Sequence, residues 1–367
     1  MTTRTMTVPA RFKAGIEPFD PARDAADLAA FQRATFGEDG RQLDPARSRW
    51  LFEDNPHRIG DSTGVWICRR KGEIVGQQAE IAFRLAVEGR EIEAAWAIDL
   101  MVKPEWRIRG VGPGLMATHS EQRTCVAGLT QNEDAVNIYR RAGWAEVGTV
   151  PVYMRPLDPV ELARRAPFAA RLRPVAPVLK AGLRALDAVQ SGLARVARLR
   201  LEPIDRFDER VDEAWAAASP DYPVLATRDF TSVRWAFDQR PEAPELHRFY
   251  LVRGSKVLGY VVLRRGDHWE GFSMTVIDFL APARWVAPLL TLAAHWARRQ
   301  GAFVLMCRAM CTPADRALRV AGFLPRGLSA ALPLRMFVHC TVPDEQVRAA
   351  VGRPDGWFLT AADADLS

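Results

Sequence analysis

Four short motifs recur in this chain in the same order and at nearly the same spacing, and that repeat constrains the fold more than any other feature. Arg49-Trp50-Leu51-Phe52 with Pro56 returns as Arg234-Trp235-Ala236-Phe237 with Pro241, 185 residues on. Val75-Gly76 returns as Leu258-Gly259 at an offset of 183, and Ile98-Asp99-Leu100 and Ala142-Gly143-Trp144 return as Ile277-Asp278-Phe279 and Ala321-Gly322-Phe323 at 179. Offsets that drift so little point to duplication of a unit of about 150 residues. At 367 residues the chain exceeds what one hydrophobic core organises, so length also predicts two domains.

Within the first copy, Asp24 to Thr35 and Pro45 to Phe52 carry helical periodicity. Gly64 to Arg70 and Glu73 to Arg84 read as strands joined at Lys71-Gly72, and Ala94 to Val102 as an apolar strand. A helix over Gly112 to Gln122, a strand over Cys125 to Thr130, a helix over Asn132 to Ala142 and closing strand material over Val147 to Met154 follow. The order predicts an α/β fold with a mixed sheet, and the second copy reads alike. Between the copies, Pro159 to Arg200 contains Pro167, Pro174 and Pro177 and then a helix. Leu179, Leu183, Leu186, Val189, Leu193 and Val196 share one arc of it, while Lys180, Arg184, Arg195 and Arg198 cluster on the other. The expected divisions are a first domain at 1–156, a basic amphipathic connector at 157–200, a second domain at 201–345 and a tail at 346–367.

Composition excludes several classes. Apolar and charged fractions of 48% and 26% are those of an ordinary globular protein. The net charge of +6 is concentrated: Glu161 to Arg200 holds nine basic residues against Glu161 and Asp187, leaving the remainder near neutral. Such a helix with one apolar arc fits an anionic membrane surface, or else packs its apolar face on the domains with its arginines in water. No nucleic-acid motif accompanies it. The five cysteines, Cys68, Cys125, Cys307, Cys311 and Cys340, lack a C-x-x-C pair and read as buried reduced thiols in a reducing cytoplasm. The six histidines show no ligand spacing, so no metal site is expected. There is no run of 18 apolar residues, and the polar start Met1-Thr2-Thr3-Arg4 lacks a signal-peptide core, which predicts a cytoplasmic protein, at most peripheral at the inner membrane face.

The chemistry concentrates in Leu100-Met101-Val102-Lys103-Pro104-Glu105-Trp106-Arg107-Ile108-Arg109-Gly110-Val111-Gly112-Pro113-Gly114-Leu115. An apolar strand ends there, and a turn with three glycines enters a helix whose first N–H groups form an anion site suited to a diphosphate. Arg107-x-x-Gly110-x-Gly112 resembles the R/Q-x-x-G-x-G/A signature of the GNAT superfamily of acyl-CoA N-acyltransferases. A second pattern of that family, N-x-x-A-x-x-x-Y-x-x-x-G-F, is matched by Asn132, Ala135, Tyr139, Gly143 and Trp144, with Trp in place of Phe. The resemblance covers about residues 14 to 156. One departure is Pro113, which has no N–H to offer a phosphate.

The resemblance implies acyl-CoA as co-substrate and a primary amine as acceptor, in two tandem GNAT folds, each a mixed β-sheet flanked by helices. It also implies that backbone amides from Ile108 to Leu115 (Ile108, Arg109, Gly110, Val111, Gly112, Gly114 and Leu115) hold the diphosphate, with Arg107 and Arg109 supplying charge and Asn132 lying close by. An amide near Met101 or Val102 would polarise the thioester carbonyl. Tyr139 matches the tyrosine that protonates the departing thiolate, and Asp99 stands where family members carry an acidic base. For Asp99 a second reading is a buried carboxylate paired with an arginine, and Asp278 at the corresponding place favours it. In the second copy the turn reads Leu280-Ala281-Pro282-Ala283-Arg284-Trp285-Val286-Ala287-Pro288-Leu289, without glycine, and Leu318 replaces Tyr139, so that copy is expected not to bind CoA.

The tandem plan with a basic connector is similar to bacterial GNAT-type ceramide synthases, which implies a lipid amine such as a sphingoid base as acceptor. Alternatives are an amino sugar or other small amine of cell-surface polysaccharide synthesis, a Fem-like tRNA-dependent aminoacyltransferase and a non-catalytic acyl-CoA-binding module. The intact CoA turn speaks against the Fem-like reading, and retention of Tyr139 against the non-catalytic one.

Overall fold

A computed structural model describes residues 8–325 and 333–365; the polar start Met1 to Arg4 lies outside them. In chain order the strands are β1 (Ile16–Pro18), β2 (Val65–Arg70), β3 (Glu73–Val87), β4 (Arg90–Val102), β5 (Cys125–Thr130), β6 (Ala145–Thr149), β7 (Val152–Pro156) and β8 (Leu199–Ile204). There follow β9 (Val224–Ala226), β10 (Leu246–Arg253), β11 (Lys256–His268), β12 (Gly271–Leu280), β13 (Val304–Met310), β14 (Leu324–Pro325), β15 (Arg335–Cys340) and β16 (Trp357–Thr360). The helices that matter here are α1 (Ala10–Lys13), α2 (Pro21–Phe36), α3 (Val111–Glu121), α4 (Glu133–Arg141), α5 (Ala176–Val196), α6 (Ala283–Arg299) and α7 (Glu345–Val351).

Two compact units result, one of residues 1–149, 239–241 and 330–354, the other of 150–238, 242–329 and 355–367. In the first unit the sheet order is β1-β2-β3-β4-β5-β15-β6, antiparallel except for the parallel pair β4–β5. The β2–β3 hairpin turns at Lys71-Gly72, both at positive φ, which matches the right-handed twist of its strands. Strand β2 is buried on both faces, which is why Val65 to Cys68 is continuously apolar. Val65 and Ile67 pack with Leu28 and Phe31 of α2, while Trp66 and Cys68 pack with Val111 and Leu115 of α3.

The second unit follows the same plan. Strands β8, β10, β11 and β12 form an antiparallel run, β12–β13 is the parallel pair, and β7 lies between β13 and β14. The repeated motif keeps its local shape as well: Arg49–Glu53 and Arg234–Asp238 are both single π-helical turns, where the sequence predicts α-helix through Phe52.

The expected divisions at 156, 200 and 345 differ from the observed ones because the copies exchange a strand. Strand β7, next in sequence after β6, pairs with β13 and β14 of the second unit, and β15 fills the matching slot between β5 and β6 of the first. The stretch read as one closing strand over Val147 to Met154 breaks between Thr149 and Val152, where Pro151 has no N–H for a ladder. Residues 157–200 belong to the second unit. Within the expected tail, Val351, Trp357, Phe358 and Leu359 are fully buried.

Candidate active site

Strands β4 and β5 run side by side only over Ala95–Ala97 and Val126–Gly128, although β4 continues to Val102 and β5 to Thr130. Beyond Ala97 they part, leaving a wedge in the sheet. A bulge in β4 accompanies it: two residues, Asp99 and Leu100, lie between the pairs Ala79↔Ile98 and Gln77↔Met101, opposite the single residue Gln78, and Asp99 takes φ +51°. Two buried glutamines hold the distorted backbone. The Gln78 amide donates to Ile98 O at 2.8 Å, and the Gln77 amide donates to Asp99 O at 3.2 Å.

Ladder alternation decides which amide faces the wedge. Lys103 N–H donates to Val75 O at 2.9 Å, so Lys103 and Val75 form a hydrogen-bonded pair and Val102 and Gly76 the next, non-bonded one. The Val102 N–H therefore points away from β3, and that of Met101 points toward it. Of the two amides expected near the thioester, Val102 is the one directed at the wedge.

Tyr139, on α4, is buried between Phe337 of β15, stacked at 4.9 Å, and Trp144 at 4.8 Å. Its ring lies over Gly128, the last β5 residue still paired with β4. A Cβ at Gly128 would stand 2.6 Å from Tyr139 Cζ and closer still to the hydroxyl oxygen. The phenol is thereby placed where the strands divide. Burial pushes its hydroxyl well above the ordinary tyrosine value, so it keeps its proton at neutral pH.

The helix α3 begins at the end of this wedge, after Gly110 at φ +78°. Gly110, Val111 and Gly112 precede the first intrahelical donor, Gly114, whose N–H already reaches Gly110 O, and Pro113 has none. Three amides are therefore available to an anion, fewer than the sequence predicts. Gly114 and Leu115 drop out because their amides lie inside the helix, and the Arg109 amide donates to Trp106 O at 3.1 Å. The glycines also have a different reason from the one expected. A Cβ at Gly110 would stand 2.5 Å from the Phe12 ring, one at Gly114 would stand 2.8 Å from the Phe12 carbonyl carbon, and one at Gly112 would press on Ile138 at 3.1 Å. They admit α1 and α4 to the helix.

Around the turn, Arg107 donates through Nε to Val102 O at 3.1 Å, Arg109 stacks over Trp106, and Ile108 is 94% exposed. Asn132 caps α4, accepting from Asp134 N–H at 2.8 Å.

Asp99 lies at the bulge with its carboxylate engaged. One oxygen accepts from Gln42 at 2.8 Å and the other from Arg47 at 3.0 Å, with the Arg47 and Asp99 side chains only 7% and 8% exposed. The second unit repeats the pairing, with Asp278 bound by Arg228, Tyr260 and Thr360. A carboxylate ion-paired in the same place in both units fits the arginine-paired reading of Asp99.

In the second unit the corresponding parting of β12 and β13 is occupied. Past Cys307, β13 pairs with β16 of the chain's own C-terminal segment, and the Thr360 hydroxyl donates to Asp278 Oδ1 at 2.7 Å. Leu318 is fully buried and α6 begins after Pro282, without a glycine turn.

Sequence reasoning missed Gly128, Phe337, Phe12, Gln42 and Arg47. A glycine inside the apolar strand Cys125 to Thr130 is itself a signal of close approach. Phe337 carried none, since its partner lies 198 residues away in the chain.

Residues 22–147 match the family model described as an acetyltransferase (GNAT) domain. That stretch of the first unit is similar to GNAT acetyltransferase domains. Among solved structures the chain resembles a GCN5-related N-acetyltransferase from Kribbella flavida, with TM-score 0.59 and 16% identity over 92% of this chain and 73% of that one. A GCN5-related N-acetyltransferase from Anabaena variabilis matches at TM-score 0.58 and 12% identity, over 89% and 72%. Saccharomyces cerevisiae N-myristoyltransferase with bound myristoyl-CoA matches at TM-score 0.51 and 11% identity, over 89% and 82%. No curated protein matches the chain in sequence. Among the described residues, no cluster of His, Cys, Asp and Glu could hold a metal, and no helix is long and apolar enough to cross a membrane.

Proposed function

We propose that the first unit transfers an acyl group from a CoA thioester to a primary amine at the wedge between β4 and β5. The observation that carries this is the placement of Tyr139 over Gly128, where the strands part. The donor supplies the activated carbonyl and the thiolate leaving group. The amides of Gly110, Val111 and Gly112 bind its diphosphate, with Arg107 and Arg109 beside them; the Val102 N–H polarises the carbonyl, and the Tyr139 hydroxyl protonates the departing sulfur. Asp99 holds the bulge through Arg47 and Gln42, so an incoming amine gives up its proton to water or, if Arg47 is displaced, to Asp99. Purified protein incubated with short- and long-chain acyl-CoAs and candidate amines should release free thiol and yield an N-acyl product. No thiol release beyond hydrolysis with any donor would defeat the reading. Both units being GNAT copies, the second blocked by β16, completes the proposal.

The acceptor we favour is a lipid amine such as a sphingoid base, presented at an anionic surface. Helix α5 supports this, because its orientation is the reverse of the packed arrangement. A strip of its polar side faces the protein: Asp187 pairs with Arg155 and Arg298, Ser191 hydrogen-bonds His295 at 2.8 Å, and Lys180 pairs with Asp158. Its apolar arc faces water, with Val178, Val189, Leu193 and Val196 exposed at 73%, 62%, 65% and 83%. Exposed Arg171, Arg184, Arg195 and Arg198 accompany it, and the only acid between 166 and 200 is the buried Asp187. A second copy laid on this face would bring arginine to arginine, whereas anionic headgroups would neutralise them. Co-sedimentation with anionic vesicles at low and high salt tests it, and no binding at low salt overturns it.

A further inference from the structure

Cys125 opens β5 and Cys340 closes β15, and the antiparallel register sets the two directly opposite each other. Thr341 N–H donates to Thr124 O at 2.8 Å, which makes the adjacent position, 341 against 124, a hydrogen-bonded pair. Cys340 and Cys125 are then a non-hydrogen-bonded pair, where side chains approach most closely and Cα atoms stand about 4.5 Å apart. A disulfide spans Cα separations of about 4.4–6.8 Å. The cysteines read from the sequence as unrelated buried thiols thus include one pair at bonding range.

The chemistry of the two sulfurs is unequal. A hydrogen bond from Cys125 holds the Cys340 thiol down at about 7, while the same contact and burial push Cys125 well above the ordinary thiol value. Cys340 is also the partly exposed member; Cys68, Cys307 and Cys311 are all buried, and burial raises each of them, Cys311 to about 12. A partly exposed, readily ionised thiol beside a protonated one is the arrangement of an attacking and a resolving cysteine.

We propose that Cys125 and Cys340 are an oxidisable pair that closes as a cross-strand disulfide when the protein meets a peroxide. The Cys340 sulfur attacks one peroxide oxygen, forming a sulfenic acid and releasing one water. The Cys125 sulfur then displaces the sulfenic oxygen as a second water, so two thiols and one hydrogen peroxide give one disulfide and two waters. The bond ties β5 to the exchanged strand β15, which reaches its slot from the far half of the chain and carries Phe337 onto Tyr139. It would fasten the contact on which the first unit's closure depends.

The test uses the full-length protein, reduced and then treated with hydrogen peroxide under native conditions. Remaining thiols are alkylated before proteolysis and mass spectrometry. We expect a peptide pair joined through Cys125 and Cys340, lighter by two hydrogens and released by dithiothreitol, while Cys68, Cys307 and Cys311 remain alkylated as thiols once the protein is unfolded. The oxidised protein should melt several degrees higher than the reduced one, and Cys340→Ser should lose both the cross-link and the shift. Cys125→Ser should stop at a Cys340 sulfenic acid, trapped by dimedone. Free thiols at both positions after native oxidation, or a link formed only in unfolded protein, overturns the proposal.

Discussion

Replacing Tyr139 in two ways separates chemistry from packing. Tyr139→Phe removes only the hydroxyl, for which no described group serves as hydrogen-bond partner, so the stability change should stay within about 0.5 kcal/mol. If that hydroxyl protonates the leaving thiolate, turnover should fall by about 10²–10⁴ while the affinity for CoA is unchanged. Tyr139→Ala also removes the ring stacked on Phe337 and tilted against Trp144, a loss of about 3–5 kcal/mol, and melting should drop accordingly. The pH dependence adds a check. The native state holds this proton more tightly than the unfolded chain does, so the associated stability is complete below pH ~10 and declines only above it. The parent should therefore show no alkaline loss of turnover attributable to Tyr139 below that pH. Steady-state thiol release, calorimetry with CoA and thermal melting measure the three quantities. Parental turnover in Tyr139→Phe would refute the acid role, whatever the melting data show.

The same geometry yields three further expectations. Gly128→Ala should displace the phenol and depress turnover nearly as far as Tyr139→Phe, at a stability cost of about 1–3 kcal/mol for the overlap; an unaltered rate would mean that the hydroxyl position does not matter. Asp99→Asn breaks the buried Arg47–Asp99 ion pair and should cost about 3–5 kcal/mol, with turnover per folded molecule little changed if Asp99 only positions the bulge; a large rate loss in a stable variant would restore it as base. Leu193→Glu should leave melting unaltered, since Leu193 is exposed, and should abolish co-sedimentation with anionic vesicles; undiminished binding would sink the membrane contact.

Much of the architecture was legible in the residues because its causes are local. The motif repeat announced two similar units, and the strand and helix order around Ala94 to Ala142 followed from periodicity. Gly110 as the turn and Tyr139 on its helix answer to neighbours within a few positions, whereas Asn132, read as lying near the diphosphate, caps its helix. Other features were settled only by partners far away in the chain. The strand exchange could not be read, because β7 and β15 look like ordinary closing strands and differ only in where they find a sheet with an open slot. The glycines of the turn read as space for a ligand, yet Phe12 and Ile138 take that space, since a missing Cβ does not record what fills it. Helix α5 shows the limit most plainly. Its periodicity defined an apolar and a basic side, but a helical arc carries no label for inside or outside. The buried Asp187, paired with Arg155 and Arg298, drew one polar strip inward and left the aliphatic side, with Arg184 and Arg195, to water.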